Sequence, residues 1–158
     1  LIVEDEVLLA AELSYLIEEV GCRDVGHAMS SDEAMALATS LRPDLALVDV
    51  HLRDGPTGID VARRISSDCG GVALFMTAIV KRLPDDMAGA CGVIGKPYSE
   101  QGVTTALSFL SACLRVVERG VDDERRLVRT IGAAHECTSL WTDTETRPSA
   151  SCRAAGGE

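Results

Sequence analysis

Apolar residues in the first 118 positions alternate between short continuous runs and runs spaced three or four apart. Leu1-Ile2-Val3 is a short strand-like run that ends in Glu4-Asp5-Glu6. Val7, Leu8, Ala11, Leu13, Leu16, Ile17 and Val20 then recur with helical period until Gly21 stops them. Residues 23–28 read as a second short strand. Ser30, with Glu33 three residues on, forms a capping-box pattern ahead of a helix carrying Ala34, Leu37, Ala38 and Leu41 on one face, which Pro43 closes. Leu45-Ala46-Leu47-Val48 is the third strand and ends at Asp49. After the loop Asp54-Gly55-Pro56-Thr57-Gly58 comes a helix with Ile59, Ala62 and Ile65 inward. Residues 72–76 make a fourth strand ending at Thr77. Residues 79–90, with Pro84 and two acids, promise one short helix at best. Val93-Ile94 is the fifth strand, before Gly95-Lys96-Pro97. Ser99 then caps a long helix that buries Val103, Ala106, Leu107, Leu110, Leu114 and Val117.

Apolar strands separated by helices are buried on both faces, which implies a parallel sheet with right-handed crossovers. Five such units in 118 residues predict an α/β fold: one doubly wound five-stranded parallel sheet with helices on both faces. Residues 119–158 lack sustained periodicity beyond a helix extension over 121–131, and 142–158 read as a disordered tail. Leu1-Ile2-Val3 reads as the middle of a buried strand, so the chain is expected to lack a few N-terminal residues.

Composition narrows the function. The formal charge is −10, and residues 1–118 hold 18 acidic against 9 basic side chains. The acidity therefore belongs to the predicted domain and argues against a nucleic-acid or anionic-membrane partner. Five aromatics (Tyr15, Phe75, Tyr98, Phe109 and Trp141) are too few for a base-stacking platform. No apolar run reaches the length of a membrane span and no signal-peptide pattern opens the chain, so a cytoplasmic location is expected. Cys22, Cys69, Cys91, Cys113, Cys137 and Cys152 form no C-x-x-C pair and read as free thiols. His135-x-Cys137 is too sparse for zinc.

The polar residues that interrupt this pattern fall at strand ends. Glu4-Asp5 ends the first strand, Asp49 the third and Thr77 the fourth, and Lys96 follows the fifth. In a parallel sheet these ends share one edge. Singly, each has an ordinary explanation: acids cap helices, threonine suits strands and lysine is usually solvated. Together they form a constellation. Three clustered carboxylates repel one another unless a cation is near, and a hard divalent ion such as Mg²⁺ offsets that repulsion. Lys96 adds a positive charge and Thr77 a hydroxyl for phosphoryl oxygens, which suits a loose phosphoryl-transfer transition state.

Four ordered motifs, Leu1-Ile2-Val3-Glu4-Asp5-Glu6, Val48-Asp49-Val50-His51-Leu52, Phe75-Met76-Thr77-Ala78 and Gly95-Lys96-Pro97, resemble the receiver domain of two-component response regulators. The resemblance covers about residues 1–118 and implies the flavodoxin-like strand order 2-1-3-4-5. It further implies that Asp49 accepts a phosphoryl group from a sensor histidine kinase or phosphotransfer protein. On the same basis Asp5, Asp49 and the His51 carbonyl would bind Mg²⁺, Glu4 would reach it through water, and Thr77 and Lys96 would contact the phosphoryl group. The Lys96–Pro97 bond is often cis in this family, and His51 and Ile79 match variable positions flanking the attacking water.

Two positions depart from the common pattern. Val93 stands where receivers usually carry an aromatic switch residue, which moves the expected coupling to residues 78–92. The loop Arg53-Asp54-Gly55-Pro56-Thr57-Gly58, with Phe75-Met76-Thr77, resembles short receivers that serve particular histidine kinases without an effector domain. Ala78 replaces the glycine usual there. The alternative from the residues is a Mg²⁺-dependent phosphatase with an aspartyl nucleophile, in which His51 would be the general acid. A third reading is a degenerate receiver used only as an interaction module, whereas the signalling reading also implies a downstream protein partner.

Overall fold

The computed structural model describes residues 1–118 of the 158-residue chain. The strands are β1 (Ile2–Val3), β2 (His27–Ala28), β3 (Leu45–Val48), β4 (Val72–Thr77) and β5 (Gly92–Gly95). The helices are α1 (Val7–Glu19), α2 (Ser31–Leu41), α3 (Gly58–Arg64) and α4 (Glu100–Glu118). All strand pairs are parallel and the order is β2-β1-β3-β4-β5, the predicted doubly wound sheet.

Alternation along each strand builds two cores. Val3, Val48, Phe75 and the partly buried Val93 face α2 and α3, whereas Ile2, Leu47, Leu74, Met76 and Ile94 face α1 and α4. Both faces are apolar because helices cover both, the reason the strands read as continuous apolar runs. In α4, Val103, Ala106, Leu107 and Leu110 are buried. The Val117 side chain, the extension over 121–131 and the tail over 142–158 lie outside the described residues, as do Cys137 and Cys152. The four described cysteines are free thiols.

Three local expectations are corrected. β2 is only two residues long, because the Asp24 carboxylate accepts the Gly26 N–H at 3.0 Å and bends the chain before it. Residues 79–90 form no α-helix. They hold two 3₁₀ turns, Val80–Arg82 and Met87–Gly89, since Pro84 cannot continue the first and the second passes through left-handed Met87, Ala88 and Gly89 (φ 52°, 51° and 76°). The sheet is therefore wound by four helices rather than five. In α1 the buried face is Ala10, Leu13, Leu16 and Ile17, while Val7 and Leu8 point to solvent. Their apolar spacing marked a helix without marking its inner side.

The capping box before α2 is displaced by one residue. Ser30 Oγ accepts the Glu33 N–H at 3.4 Å, but the Glu33 carboxylate returns to the N–H of Met29, not Ser30, at 2.8 Å. Ser99 Oγ similarly accepts the Gly102 N–H at 3.1 Å and starts α4.

Gly58 fixes the start of α3 against the end of β3. A Cβ there would lie 1.8 Å from the Asp49 carbonyl oxygen and 2.9 Å from Val50 Cα, so only glycine allows this approach. Its N–H donates to the Val50 carbonyl at 3.1 Å. Gly58→Ala is expected to cost about 3 kcal/mol, the upper part of the usual range for overpacking. Urea unfolding measures this, and a change within experimental error would show that α3 can retreat freely.

Candidate functional site

The C-terminal ends of β1, β3, β4 and β5 share one edge of the sheet, and the polar residues beyond them gather there. Backbone pairing places the first two: the Glu4 N–H donates to the Ala28 carbonyl at 2.9 Å and the Asp49 N–H to the Val3 carbonyl at 2.8 Å. Between their carboxylates reaches Lys96, whose Nζ donates to Glu4 Oε2 and to Asp49 Oδ2, each at 2.6 Å. Residues 92 and 47 positions apart in sequence thus meet at one ammonium. The Lys96–Pro97 peptide that precedes α4 is cis.

The pair of bridges is largely withdrawn from water. The side chains of Glu4, Asp49 and Lys96 are 1%, 12% and 13% exposed. Burial pushes the Glu4 carboxyl above its ordinary value, and Lys96 offsets this only in part. For Lys96, burial alone would lower the ammonium, but hydrogen bonds to Asp49 and Glu4 outweigh it and raise it. Lysine is the resident counter-ion of an otherwise repulsive pair.

Other predicted residues join less directly. The His51 N–H, not its ring, donates to Asp49 Oδ1 at 3.2 Å. Thr77 is buried, and its Oγ1 accepts the Ile79 N–H at 3.2 Å while its carbonyl accepts the Lys96 N–H at 2.9 Å. Asp5 is half-buried beside Glu4 and has no hydrogen bond to the described residues. Among the described residues no three acid, histidine or cysteine side chains already converge as a metal cage. The donor set nevertheless suits a hard cation, because carboxylate oxygens of Glu4 and Asp49 are held by a lysine that a divalent ion can relieve.

Sequence reasoning missed two residues at the rim. His27 Nε2 donates to the Glu4 carbonyl at 2.5 Å and so braces the acid-bearing turn from β2. A two-residue strand carries no pattern that would have flagged it. The second is Tyr98, whose hydroxyl is buried without a hydrogen-bond partner among the described residues, and burial pushes its pKa up to about 12. Tyr98→Phe is expected to stabilise the fold by about 1 kcal/mol, since it removes an unsatisfied buried group. A loss of stability on urea unfolding would mean that the hydroxyl is satisfied in solution.

An aspartate at the end of β3, bridged by the lysine after β5 to the acid after β1, is the feature that coincides with the family comparison. The model of the response regulator receiver domain matches residues 1–108. The chain belongs to that receiver family. Among similar receivers, the phyllosphere-induced regulator PhyR of Methylorubrum extorquens is 34% identical over 110 residues, which are 68% of this chain and 41% of that protein. The transcriptional regulatory protein PdtaR of Mycobacterium tuberculosis is 34% identical over 124 residues, 74% of this chain and 58% of that one. The solution structure of the Erythrobacter litoralis PhyR receiver domain superposes with a TM-score of 0.65 at 30% identity, covering 70% of this chain and 87% of that one. The chain spans about half the length of the curated relatives it matches. Among the described residues, no helix is long and apolar enough to cross a membrane.

Proposed function

We propose that this receiver accepts a phosphoryl group on Asp49 from the phosphohistidine of a sensor histidine kinase or phosphotransfer protein. The observation that carries the reading is Lys96 bridging Asp49 and Glu4 at 2.6 Å, a cation at the acceptor oxygen itself. An Asp49 carboxylate oxygen forms the new P–O bond as the donor's P–N bond breaks, and the leaving imidazole keeps the electron pair and takes a proton. Lys96 exchanges a carboxylate partner for a phosphoryl oxygen as charge moves onto the acceptor. Thr77 turns its hydroxyl from the Ile79 N–H toward the same oxygens.

Asp5, Asp49 and the His51 carbonyl, with Glu4 acting through water, would hold Mg²⁺, which would supply charge neutralisation for an incoming phosphoryl group. The phosphorylated domain then signals to a downstream protein in the cytoplasm. The rival reading as a phosphomonoester phosphatase needs the His51 ring to donate a proton beside Asp49, whereas His51 meets Asp49 through its backbone N–H.

Incubation with acetyl phosphate, followed by intact mass, tests the proposal. One phosphoryl group is expected with Mg²⁺ or Mn²⁺ and none with chelator, and fragmentation should place it on Asp49. Uptake that is equal in chelator, or mapped elsewhere, overturns the reading. Steady turnover of a generic phosphomonoester would favour the phosphatase instead.

A further inference from the structure

We propose that the exposed face of α1 is the docking surface for this chain's own residues 125–131. Leu8 is 85% exposed, and Val7 and Tyr15 are each 59% exposed. Leu8 and Tyr15 are seven residues apart, two turns of one helix, with exposed Ala11 between them. The other large exposed apolar side chains among the described residues, Leu41 and Ile79, stand singly. Three on one helix form a patch of the kind that marks an interaction site.

The charge around that patch specifies its occupant. Glu18 and Glu19 are exposed on α1, Glu12 is half-buried, and the helix holds no lysine or arginine. A complementary segment must offer apolar side chains flanked by cations. Arg125-Arg126-Leu127-Val128-Arg129-Thr130-Ile131 supplies three of each. It holds half of the six basic residues in 119–158, whereas the other apolar pair in that stretch, Leu140-Trp141, has no adjacent charge.

Reach is sufficient. α1 and α4 cover the same sheet face, and Ile17 and Cys22 line one cleft with Ser111 and Arg115, so the two helices end side by side. Residues 119–124 can extend about 20 Å beyond Glu118. The distance along α1 from Tyr15 back to Leu8 is about 10 Å. Residues 125–131 can therefore lie along the stripe from Tyr15 to Leu8, whose far end is three residues after Asp5. The inference does not depend on the phosphoacceptor reading, because it concerns a helix face and needs no phosphoryl group.

Solvent paramagnetic relaxation of the full-length ¹⁵N-labelled chain tests it at Leu8 and Tyr15. Relaxation at both should be low in the native chain and rise at least twofold in Leu127→Ser/Val128→Ser. Glu18→Arg/Glu19→Arg should expose them likewise, and adding Arg125→Glu/Arg126→Glu should restore the protection. Signals of Val103 and Leu107 in α4, unchanged throughout, establish that each variant is folded. Equal relaxation at Leu8 and Tyr15 in the native chain and the serine variant overturns the proposal. So does charge reversal without restoration. Protection that vanishes on dilution would assign the face to a second copy of the chain and overturn it as well.

Discussion

An Asp49→Asn chain takes up no phosphoryl group from acetyl phosphate, with or without Mg²⁺. The amide lacks the anionic oxygen that attacks phosphorus, and no neighbour replaces it. Glu4 is 1% exposed and Asp5 stands one residue further from the end of β1. The substitution preserves shape, and the asparagine oxygen can keep one of the two hydrogen bonds that the Asp49 oxygens accept, from the His51 N–H at Oδ1 and from the Lys96 ammonium at Oδ2. Loss of the adduct in a folded protein therefore reports chemistry rather than unfolding. Intact mass alongside a thermal melt makes the distinction, and an adduct that persists in the variant removes Asp49 from the acceptor role.

The second large effect is on stability. Lys96→Ala is expected to lower unfolding free energy by about 3 kcal/mol near neutral pH, the lower end for breaking a buried ion pair because the site opens to water at one edge. Glu4 and Asp49 would then face each other without their cation. The dependence on pH has a definite sign. Glu4 is raised above its ordinary value of 4.5, so the native state keeps this proton longer than the unfolded chain, and the group's contribution falls as pH rises from that value. Lys96 is raised above 10.5, so its contribution is full below that value and is lost as pH climbs through its folded pKa. Removing the lysine raises Glu4 further. The variant's deficit should therefore be full at neutral pH and shrink on acidification toward about pH 4, as Glu4 takes up its proton. Urea titrations across that range decide it. A deficit that does not change with pH would assign the loss to packing of the lysine stem alone.

The parts of this molecule that sequence reveals are those in which one residue type has one physical use. Continuous apolar runs such as Leu45-Ala46-Leu47-Val48 fit a sheet covered on both faces, and the acids and lysine beyond such runs land on one edge because parallel strands all point the same way. That geometry makes Glu4, Asp49 and Lys96 legible from the sequence alone. What stayed hidden depends on side-chain direction or backbone detail. Nothing in the sequence showed that His51 meets Asp49 through its N–H, that His27 braces Glu4, or that Thr77 spends its hydroxyl on Ile79. Over residues 79–90, composition shows poor helix formers but not the left-handed turns at Met87, Ala88 and Gly89. α1 shows the same limit: apolar spacing announced a helix, while Val7 and Leu8 turned out to lie on its solvent side.

The contact of Gly58 with the Asp49 carbonyl divides the site into an anvil and a moving jaw. On the β3 side, the Asp49 backbone lies against the start of α3 with no room for even a methyl group on Gly58. On the β4 side, Thr77 leads into two 3₁₀ turns, the second held to Arg63 of α3 by the exposed Arg63–Asp86 ion pair at 2.9 Å and to Ser66 just beyond α3, whose hydroxyl donates to the Gly89 carbonyl at 3.2 Å. Surface pins of this kind contribute about 1 kcal/mol or less each. On the phosphoacceptor reading, a displacement that starts at Asp49 meets the tightly packed side at α3 and the weakly pinned side at residues 78–91, and Val93 just beyond them offers no ring to absorb it.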